Sequence, residues 1–509
     1  MKYLVSQKEM QQYDKNTIEF FGVPSIVLME RAALVTVETL RKEKGNGNFR
    51  VLVVAGCGNH GGDGLAVGRL LKQQGCEVDA VLLGSREKCS KETALQLAIA
   101  KQYGCVLYDQ IPEAEYDIII DAIFGIGLSR EIEGIYQDAI LEINRRNSYV
   151  CAIDIPSGIQ ADSGHILGCA VKADLTVTYG FCKTGQYFYP GADYCGKLVC
   201  GQMGIDEKSF LGNFPKCYTY VSLQDMKLPE RKKDGNKGTF GKVLVIAGSK
   251  TMCGAAIMAA KSVFRVGAGM VRIITDLANR ESIQKTLPEA MLTIYDSTRW
   301  MDETPDDAFA EELKKALSWA DCILIGPGIG TSVTAKWLLH NCLQKSTLPM
   351  VIDADGLNLL AEEKEEYLSE MLAGHRVILT PHLGEFSRLY GCSIGEAKEM
   401  LLSYPKQLAD KINGTVVCKD ARTVVAMPDK QELYVNTFGN SGMATAGSGD
   451  VLAGVITGFL AQGMEADKAA VTGVCLHSMA GDRAAGMLGE RSMMATDIIE
   501  QITELLKNV

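Results

Sequence analysis

Features that direct a chain to membranes, nucleic acids or an oxidising compartment are missing from this sequence. No stretch of about eighteen apolar residues occurs, which excludes a transmembrane helix, and the first residues, MKYLVSQKEM, have too short an apolar run for a signal peptide. The net charge of -10 argues against general binding to nucleic acids or anionic membranes. The 16 cysteines form no C-x-x-C pair and lie singly in apolar segments, as reduced thiols do. These absences predict a cytoplasmic protein.

The composition that is present is typical of an ordered globular protein. Hydrophobic residues make up 47% of the 509 positions and charged residues 22%, and 52 glycines accompany only 13 prolines. A chain of this length exceeds the size at which one hydrophobic core usually stops growing. The sequence therefore predicts two domains with many tight loops.

Short apolar runs alternate with segments of helical periodicity in the first half of the chain. The segment 25–43 predicts a helix, because its apolar residues recur at helical spacing. Strands that alternate with crossover helices are typical of a parallel sheet covered on both faces. We therefore predict an α/β, doubly wound domain, a Rossmann-like three-layer sandwich, for residues 1–218. Its buried strands are expected within 51–56, 77–84, 116–125, 149–158 and 174–180.

The alternation stops between about 206 and 240, where charge, proline and glycine occur together, and it resumes at 242–249. We place the domain boundary in this interval. The second half repeats the pattern, with strand ends at GPGIG, DADG and TPHLGE and a hairpin expected over 416–426. Residues 219–509 therefore predict a second doubly wound α/β domain.

The glycine-rich stretch GCGNHGGDG at 56–64 lies where a predicted strand is followed by an amphipathic helix. Glycines let backbone N–H groups approach an anion and the helix N-terminus adds partial positive charge, so a phosphate-bearing ligand fits here. A purely structural turn is the alternative. Polar residues also follow two further strands, and the carboxyl ends of parallel strands meet at one edge of a sheet. The side chains expected to share a pocket, suited to a hard cation or an acid/base pair, are Asn59, Asp63, Asp121, Asp154 and Ser157.

The motifs NHGGDG, DAIFGIGL and DIPSG, in this order, resemble those of the NAD(P)H-hydrate epimerases of the YjeF N-terminal type over residues 1 to about 215. The resemblance implies a pocket for the hydrates NADHX and NADPHX, with Asp154 acting on the altered ring as acid or base. It also implies a potassium ion on His60, Asp121 and Ser157, although the family usually has an asparagine where this chain has His60. The implied substrate-binding residues are Asn59, His60, Gly61, Gly62, Asp63, Gly125, Ile126, Gly127, Leu128, Ser129, Arg130, Glu131 and Asp154.

A second glycine-rich stretch, ATAGSGDVLAGVITG at 444–458, precedes an apolar helix. Its N–H groups would hold phosphate oxygens at the helix N-terminus. A carboxylate beside a bound anion is electrostatically unfavourable, so its presence indicates a chemical role. Asp450 could accept a proton from a substrate hydroxyl as that oxygen attacks phosphorus. Asp450 as a helix N-cap is the alternative. At other strand ends His382 is expected to contact a ligand and Lys419 a phosphate, unless Lys419 is a surface lysine.

The motifs GAGMVRI, GPGIG, DADGLNLL, TPHLGE and GSGDVLAG resemble, in order, the ribokinase-like fold and more narrowly the NAD(P)H-hydrate dehydratases, over 235–505. The resemblance implies that ADP or ATP, with Mg²⁺, phosphorylates the ring hydroxyl of the hydrate, and that loss of phosphate restores the dihydropyridine. For the hydrate it implies Ala255, Gly328 or Gly330, His382 and Asp450. For the adenine nucleotide it implies Lys419, Asp420, Ala421, Arg422, Thr423 and Gly449; the family usually has glycine at the position of Asp420.

Together the two halves predict a bifunctional enzyme that repairs hydrated NADH and NADPH. Hydration yields two epimers, and an epimerase returns the one that the dehydratase cannot use. We expect a homo-oligomer that binds neither nucleic acid nor membrane. One rival function is a small-molecule kinase of the ribokinase superfamily, and another is that the first half serves only as a binding or scaffold module.

Overall fold

The computed structural model describes residues 1–300, 304–363 and 365–507. The chain divides into two compact units, one from Tyr3 to Cys217 and the other from Tyr218 onwards together with Met1–Lys2. Within the described ranges no helix is both long and apolar enough to cross a membrane. None of the 16 cysteines is exposed.

The first unit is built on a parallel sheet of seven strands in the order β4-β3-β2-β5-β6-β7-β9. Two short strands, β1 and β8, form a separate parallel pair. The strands are β1 (Lys2–Val5), β2 (Arg50–Ala55), β3 (Glu77–Leu82), β4 (Val106–Tyr108), β5 (Ile118–Ala122), β6 (Tyr149–Ile153), β7 (Leu175–Tyr179), β8 (Cys182–Lys183) and β9 (Lys197–Gly201).

Helices cover both faces of this sheet. Alternate residues of β2 belong to different cores: Val51 and Val53 pack in one cluster with Leu65 of α3, whereas Leu52 packs in the other with Ile140 of α5. The predicted doubly wound fold of the first half is confirmed. The helices are α1 (Gln7–Glu19), α2 (Ser25–Lys44), α3 (Asn59–Gln73), α4 (Lys91–Gln102), α5 (Ile135–Arg145) and α6 (Gly191–Tyr194).

The second unit contains a larger mixed sheet in the order β13-β12-β11-β14-β15-β16-β17-β18-β19-β10. The pairs from β13 to β17 are parallel, whereas β18 is antiparallel to both β17 and β19 and forms the predicted hairpin over 416–426. The strands are β10 (Cys217–Thr219), β11 (Lys242–Ile246), β12 (Met270–Asp276), β13 (Met291–Tyr295), β14 (Cys322–Ile325), β15 (Met350–Ile352), β16 (Val377–Leu379), β17 (Thr415–Cys418), β18 (Val424–Ala426) and β19 (Leu433–Val435).

The apolar helix α16 is buried in the core of the second unit and packs closely on α7. A Cβ at Gly454 would lie 2.3 Å from the Ala259 carbonyl oxygen of α7, so only glycine permits this approach. The helices are α7 (Cys253–Arg265), α8 (Arg280–Thr286), α9 (Asp307–Trp319), α10 (Val333–Lys345), α11 (Asp355–Ala361), α12 (Glu365–Leu372), α13 (Leu383–Tyr390), α14 (Ile394–Glu399), α15 (Tyr404–Ile412), α16 (Ser448–Ala461), α17 (Ala466–Leu488) and α18 (Ala495–Leu506).

Candidate active sites

A crevice of about 820 Å³, the first crevice, opens at the carboxyl ends of the strands of the first unit. The strand order reverses at β2, because β3 and β4 lie on one side of it and β5 to β9 on the other. The loops after the two strands at such a reversal diverge and leave space for a ligand. Residues 56–60, which follow β2, and 123–130, which follow β5, line the first crevice.

Two glycines hold the loop after β2 close to its surroundings. A Cβ at Gly56 would lie 2.2 Å from the Ile123 carbonyl oxygen, and a Cβ at Gly61 would lie 1.8 Å from the Gly56 carbonyl oxygen. The loop leads directly into α3, which begins at Asn59 and has no side-chain cap. Its N-terminal N–H groups therefore suit an anionic group of a ligand.

Asp154 follows β6 and enters the first crevice in a left-handed backbone conformation, with φ of 57°. Its Oδ1 accepts hydrogen bonds from Lys183 Nζ and, at 3.2 Å each, from Thr178 Oγ1 and the Tyr179 N–H. Lys183 is fully buried, and Gln186 Nε2 donates to the Asp154 carbonyl oxygen at 2.7 Å. Among the described residues no donor bonds Asp154 Oδ2. A strained, firmly held carboxylate of this kind is typical of a functional position.

The neighbours of Asp154 are mostly acidic. Burial, followed by the charges of Asp154 and Asp14, raises the pKa of Asp63 well above its usual value. Burial lowers the pKa of His60 to about 4, so the ring is neutral at pH 7, and its buried Nε2 has no partner among the residues that the structure describes. The first crevice thus combines carboxylates with one buried lysine, a setting in which protons can be exchanged.

Asp121 and Ser157 are both fully buried and do not line the first crevice, although the sequence predicted that they would share its pocket. Ser157 donates to Asp121 from its Oγ at 2.6 Å and from its N–H at 2.8 Å, and the Ile123 N–H donates to Asp121 Oδ1 at 3.3 Å. Burial nevertheless raises the pKa of Asp121 to about 6. The pair forms a compact group of oxygen atoms with no basic side chain bonded to it in the described part of the chain.

The structure brings most of the predicted substrate-binding residues of the first unit together. Gly61 and Gly62 are buried and do not line the first crevice, because Gly61 packs on Gly56 and a Cβ at Gly62 would lie 2.9 Å from the Met29 side chain. Glu131 is exposed and does not line it either. The residues that do line it are Asn59, His60, Asp63, Gly125, Ile126, Gly127, Leu128, Ser129, Arg130 and Asp154.

In the second unit the strand order reverses at β11, which lies between β12 and β14. The loop after β14 contains both candidate glycines in left-handed conformations, with φ of 62° at Gly328 and 72° at Gly330. A Cβ at Gly328 would lie 2.9 Å from the Cβ of Ala255, so this part of the loop packs against the start of α7. Gly330 is open, and its N–H donates to Asp355 Oδ2 at 2.8 Å.

Lys419 lies at the end of β17 and is surrounded by acidic residues. Its Nζ donates to Asp353 Oδ1 at 2.7 Å and lies 4.0 Å from Glu385 Oε2. Asp353 follows β15, is 1% exposed and also accepts a hydrogen bond of 2.7 Å from Thr380 Oγ1. A Cβ at Gly449 would lie 3.3 Å from Lys419 Nζ, which places the start of α16 beside the same ammonium group. Lys419 is therefore a half-buried member of this acidic group and not a surface lysine.

Asp450 occupies the first turn of α16 but does not cap it. The N-cap is Gly447, in a left-handed conformation, and no side chain caps the helix. No donor among the described residues bonds the Asp450 carboxylate. Burial, followed by the charge of Asp353, raises its pKa to about 7, against the opposing effect of Lys419. The alternative that Asp450 is the helix N-cap is wrong. A carboxylate with a pKa of about 7 can act as a base near neutral pH.

His382 lies at the carboxyl end of β16, where it caps α13. Its Nδ1 accepts N–H bonds from Gly384 at 3.0 Å and Glu385 at 3.3 Å, so Nδ1 carries no proton. Burial, followed by the charge of Lys419, lowers the pKa of His382. The neutral ring carries its proton on Nε2, which lies 3.3 Å from Glu385 Oε1. The Lys419 N–H donates to the Pro381 carbonyl oxygen at 2.8 Å, which joins the end of β17 to this position.

The other predicted nucleotide residues form the loop between β17 and β18. Arg422 Nη1 donates to the carbonyl oxygens of Phe438 and Gly439, both at 3.3 Å, which ties this loop to the segment before α16. Thr423 is buried and Ala421 is exposed. Asp420 is half-buried beside Lys419, so it adds a negative charge at the edge of the acidic group.

Sequence reasoning did not assign three residues of these sites: Lys183, Asp353 and Asp14. Asp353 follows an apolar strand as Asp154 does, and this shared position could have found it. Lys183 carries no such signal, since its partner is 29 residues away in the chain. Asp14 lies in an ordinary polar helix, far from any glycine-rich motif.

Two protein-family profiles match this chain. One, described as NAD(P)H-hydrate dehydratase, matches residues 243–504. The other, described as YjeF-related protein N-terminus, matches residues 25–185. The two matches fall on different units of the structure.

Curated relatives match over almost their whole length. A bifunctional NAD(P)H-hydrate repair enzyme of Moorella thermoacetica is 36% identical over 100% of this chain and 97% of its own. One of Coxiella burnetii is 37% identical over 99% of this chain and 100% of its own.

Among solved structures, a ribokinase-like superfamily protein of Enterococcus faecalis is 29% identical and has a TM-score of 0.51, covering 58% of this chain and 97% of that one. An ADP/ATP-dependent NAD(P)H-hydrate dehydratase of Bacillus subtilis, co-crystallised with ATP and Mg²⁺, is 28% identical with a TM-score of 0.47, covering 55% and 94%. The first likeness agrees with the predicted ribokinase-like fold.

Proposed function

The chain belongs to the bifunctional NAD(P)H-hydrate repair enzymes, and we propose that each of its two units catalyses one of two reactions. The first unit exchanges the R and S epimers of NADHX and NADPHX. The second unit dehydrates the S epimer at the expense of ADP or ATP, and releases phosphate, AMP or ADP, and NADH or NADPH. Exchange by the first unit converts the R epimer, which the dehydratase cannot use, into the S epimer that it can use.

The proposal for the second unit rests on the position and the raised pKa of Asp450. Its carboxylate has a pKa of about 7, has no protein donor among the described residues, and stands at a helix N-terminus beside Lys419. A base of this pKa can take the proton of the substrate hydroxyl as that oxygen attacks the terminal phosphorus of the nucleotide. Gly330, whose N–H bonds Asp355, and the Nε2–H of His382 are the groups that we expect beside the hydrate.

Phosphorylation lowers the barrier to elimination because hydroxide is a poor leaving group at neutral pH and phosphate a good one. The lone pair of the ring nitrogen expels the phosphate from the adjacent carbon. Loss of a proton from the next carbon then restores the dihydropyridine. The nucleotide loses its terminal phosphoryl group, which leaves as inorganic phosphate with the former hydroxyl oxygen.

We place the adenine nucleotide between the loop 419–423 and the start of α16. Gly449 lies beside Lys419 Nζ, so one ammonium group can meet phosphate oxygens that the N-terminal N–H groups of α16 also bind. Because Lys419 is also bonded to Asp353, its position is fixed before the nucleotide arrives. This contact supports the predicted role of Lys419.

Mg²⁺ is expected to accompany the nucleotide. No group of three or more His, Cys, Asp or Glu residues within the described ranges has the arrangement of a metal site. This suits Mg²⁺, which is usually held by phosphates, water and only one or two carboxylates. Asp353 and Asp450 are the carboxylates nearest to the proposed phosphate position. The ion would neutralise charge on the phosphates.

In the first unit we propose that Asp154 transfers protons at the carbon that bears the hydroxyl. Oδ1 is fixed by Lys183, Thr178 and the Tyr179 N–H, which leaves Oδ2 for the substrate. The buried lysine also balances negative charge close to the ring. Lys183 is thus a positioning residue for Asp154.

The potassium ion implied for the epimerases fits two of its three predicted ligands. Asp121 and Ser157 offer carboxylate and hydroxyl oxygens in a buried group without a bonded basic side chain among the described residues, and alkali cations prefer oxygen. The His60 side chain offers only nitrogen, which suits transition metals better. We therefore assign the ion to Asp121 and Ser157, and ligation by His60 stays a prediction without structural support.

The direct test is to incubate the purified chain with both epimers of NADPHX and either ADP or ATP. We expect both epimers to disappear and NADPH and inorganic phosphate to appear in equal amounts, and the two nucleotides compared separately give the preference. Loss of the S epimer alone would contradict exchange by the first unit, and would favour the scaffold alternative. A stable phosphoester without released phosphate would instead indicate a small-molecule kinase.

Assembly and location stay predictions. We propose a homo-oligomer located in the cytoplasm, which sedimentation of the purified chain and fractionation of cells would test.

A further inference from the structure

We propose that Asp14 is a second proton-transfer residue of epimer exchange and acts together with Asp154 on the hydroxyl-bearing carbon. The proposal rests on the proposed function of the first unit. It concerns a residue of α1, which lies outside the matched YjeF-related span of residues 25–185.

The chemistry of exchange requires two such groups. A carbon that carries a hydroxyl next to a ring nitrogen can invert in two steps. First the hydroxyl takes a proton, the nitrogen lone pair forms a C=N bond, and the C–O bond breaks so that the oxygen leaves as water. Water then adds to the opposite face, the C–O bond forms again and one proton is released. Protons and electrons balance, but the donor and the acceptor are needed on the two faces of the ring.

Asp14 belongs to a wall of the first crevice that differs from the one that carries Asp154. Met10, Gln11, Asp14 and Ile18 recur at helical spacing and line the first crevice from α1. Asp154 enters it from the end of β6. Asp14 is half-buried, and no donor among the described residues bonds its carboxylate. In contrast to Asp154, it is thus free to hold a proton.

Hydrogen bonds fix α1 in this position. Tyr13 Oη donates to the Asn213 carbonyl oxygen at 2.8 Å and Asn16 Nδ2 to the Ser209 carbonyl oxygen at 2.7 Å. These two residues flank Asp14 on the helix, and Ser6 and Glu9 form a capping box at its start. The Asp14 carboxyl is therefore held at a defined place in the first crevice.

The charges around Asp14 favour the protonated carboxyl. Burial, followed by the charge of Asp154, raises the pKa of Asp14. Carboxylates that crowd around one cation cannot all ionise easily, and one of them keeps its proton. We therefore expect Asp14 to donate while Asp154 accepts, and the reverse for the opposite direction of exchange. The other charged or titratable groups that line the first crevice are Cys57 (after β2), His60 and Asp63 (α3), Glu92 (α4), Arg130 (after β5), Tyr136 (α5), Tyr179 (β7) and Lys183 (β8).

The test measures epimer exchange in the full chain with variants D14N and D14A. We expect kcat for exchange to fall by about 10²-fold or more, with little change in KM, since proton transfer is lost and binding is kept. Added formate should restore part of the rate of D14A, because it supplies a carboxyl group to the vacated space. The matched control is E19Q, which changes an exposed carboxylate of the same helix and should keep the wild-type rate.

The pH profile of epimer exchange gives a second readout. The protonated form of Asp14 is the donor, so the wild-type rate should fall as pH rises through its raised pKa, and D14N should lack this alkaline limb. Wild-type kcat in D14N and D14A, or a wild-type rate that stays constant up to pH 9, would overturn the role of Asp14. A wild-type chain that does not exchange epimers at all would refute the proposed function of the first unit instead.

Discussion

Each unit contains a lysine bonded to an aspartate that follows a strand, but the two pairs have different parts in their sites. In the first unit Lys183 holds Asp154, and that same carboxylate lines the first crevice. In the second unit Lys419 holds Asp353, and a third residue, Asp450, is left without a donor among the described residues and with a pKa of about 7. A lysine can therefore either bond the carboxylate that lines a crevice or bond one carboxylate while its neighbour stays without a donor.

Both pairs also coincide with backbone strain. Asp154 has φ of 57°, and Ala354, next to Asp353, has φ of 49°. Non-glycine residues in the left-handed region cost about 1 to 3 kcal/mol, and they persist where the surroundings fix them. In each unit the sharp turn comes directly after the strand that leads to the aspartate.

The largest expected effects come from exchanging the two reacting carboxylates for amides. D450N should lower the rate of dehydration by about 10² to 10⁴-fold because it removes the proton acceptor, while epimer exchange stays normal. D154N should do the opposite. Stopped assays with separated R and S epimers measure both rates in each variant. Loss of both activities in either variant would show that the two sites are not independent.

Removing Lys183 should destabilise the first unit. K183M leaves the Asp154 carboxylate buried without its partner, which costs about 3 to 5 kcal/mol for a buried pair. Hydrogen exchange of peptides that cover 149–183 measures the loss locally. The control K197M breaks the exposed pair with Glu43 and should cost less than about 1 kcal/mol. Equal losses in the two variants would mean that the buried pair has no special role.

The glycine loop of the first unit should be sensitive at one position and tolerant at another. In G61A the new Cβ would lie 1.8 Å from the Gly56 carbonyl oxygen, and we expect a loss of about 1 to 3 kcal/mol from the forced shift. Gly58 has no heavy atom within 4 Å of a Cβ and an extended backbone, so G58A serves as the matched control. Thermal unfolding of both variants checks this, and a stable G61A would contradict the packing.

The smallest expected effect is a difference in pH dependence. Asp450 has a raised pKa of about 7 and must be deprotonated to act, so dehydration should fall by about tenfold per pH unit as pH drops below 7. Epimer exchange should instead fall on the alkaline side if Asp14 is the donor. Profiles of kcat/KM for both reactions between pH 5 and 9 make the comparison. A dehydration rate that is flat across pH 7 would contradict Asp450 as the base.

Much of the fold could be predicted because buried parallel strands are continuous apolar runs. The strands predicted within 51–56, 116–125 and 149–158 overlap β2, β5 and β6. The edge strands β9 and β13 were not predicted, since most of their residues are only half-buried and their sequences alternate weakly. The periodic signal depends on burial, so it is strongest at the centre of a sheet and weakest at its edges.

The candidate sites also contain some residues that the sequence predicts and others that it does not. The strand-end aspartates Asp121 and Asp154, and Asp450 in its glycine-rich turn, are visible in the sequence because a short motif specifies each of them. The partners that decide their chemistry are not visible: Lys183 for Asp154, and Asp353 with Lys419 for Asp450. A hydrogen bond or a raised pKa depends on distance and on the exclusion of water, and neither can be read from spacing along the chain.

The sequence by itself determined two α/β units, the strand ends that carry the functional side chains, and the family to which the chain belongs. Only the tertiary structure decided that Asp450 is not a helix cap, that Gly61 and Gly62 pack behind the loop, and that α1 brings Asp14 to the first crevice. The reason is physical: local motifs set backbone conformation, whereas the protonation and the neighbours of a buried carboxylate arise from segments that meet only when the chain is folded.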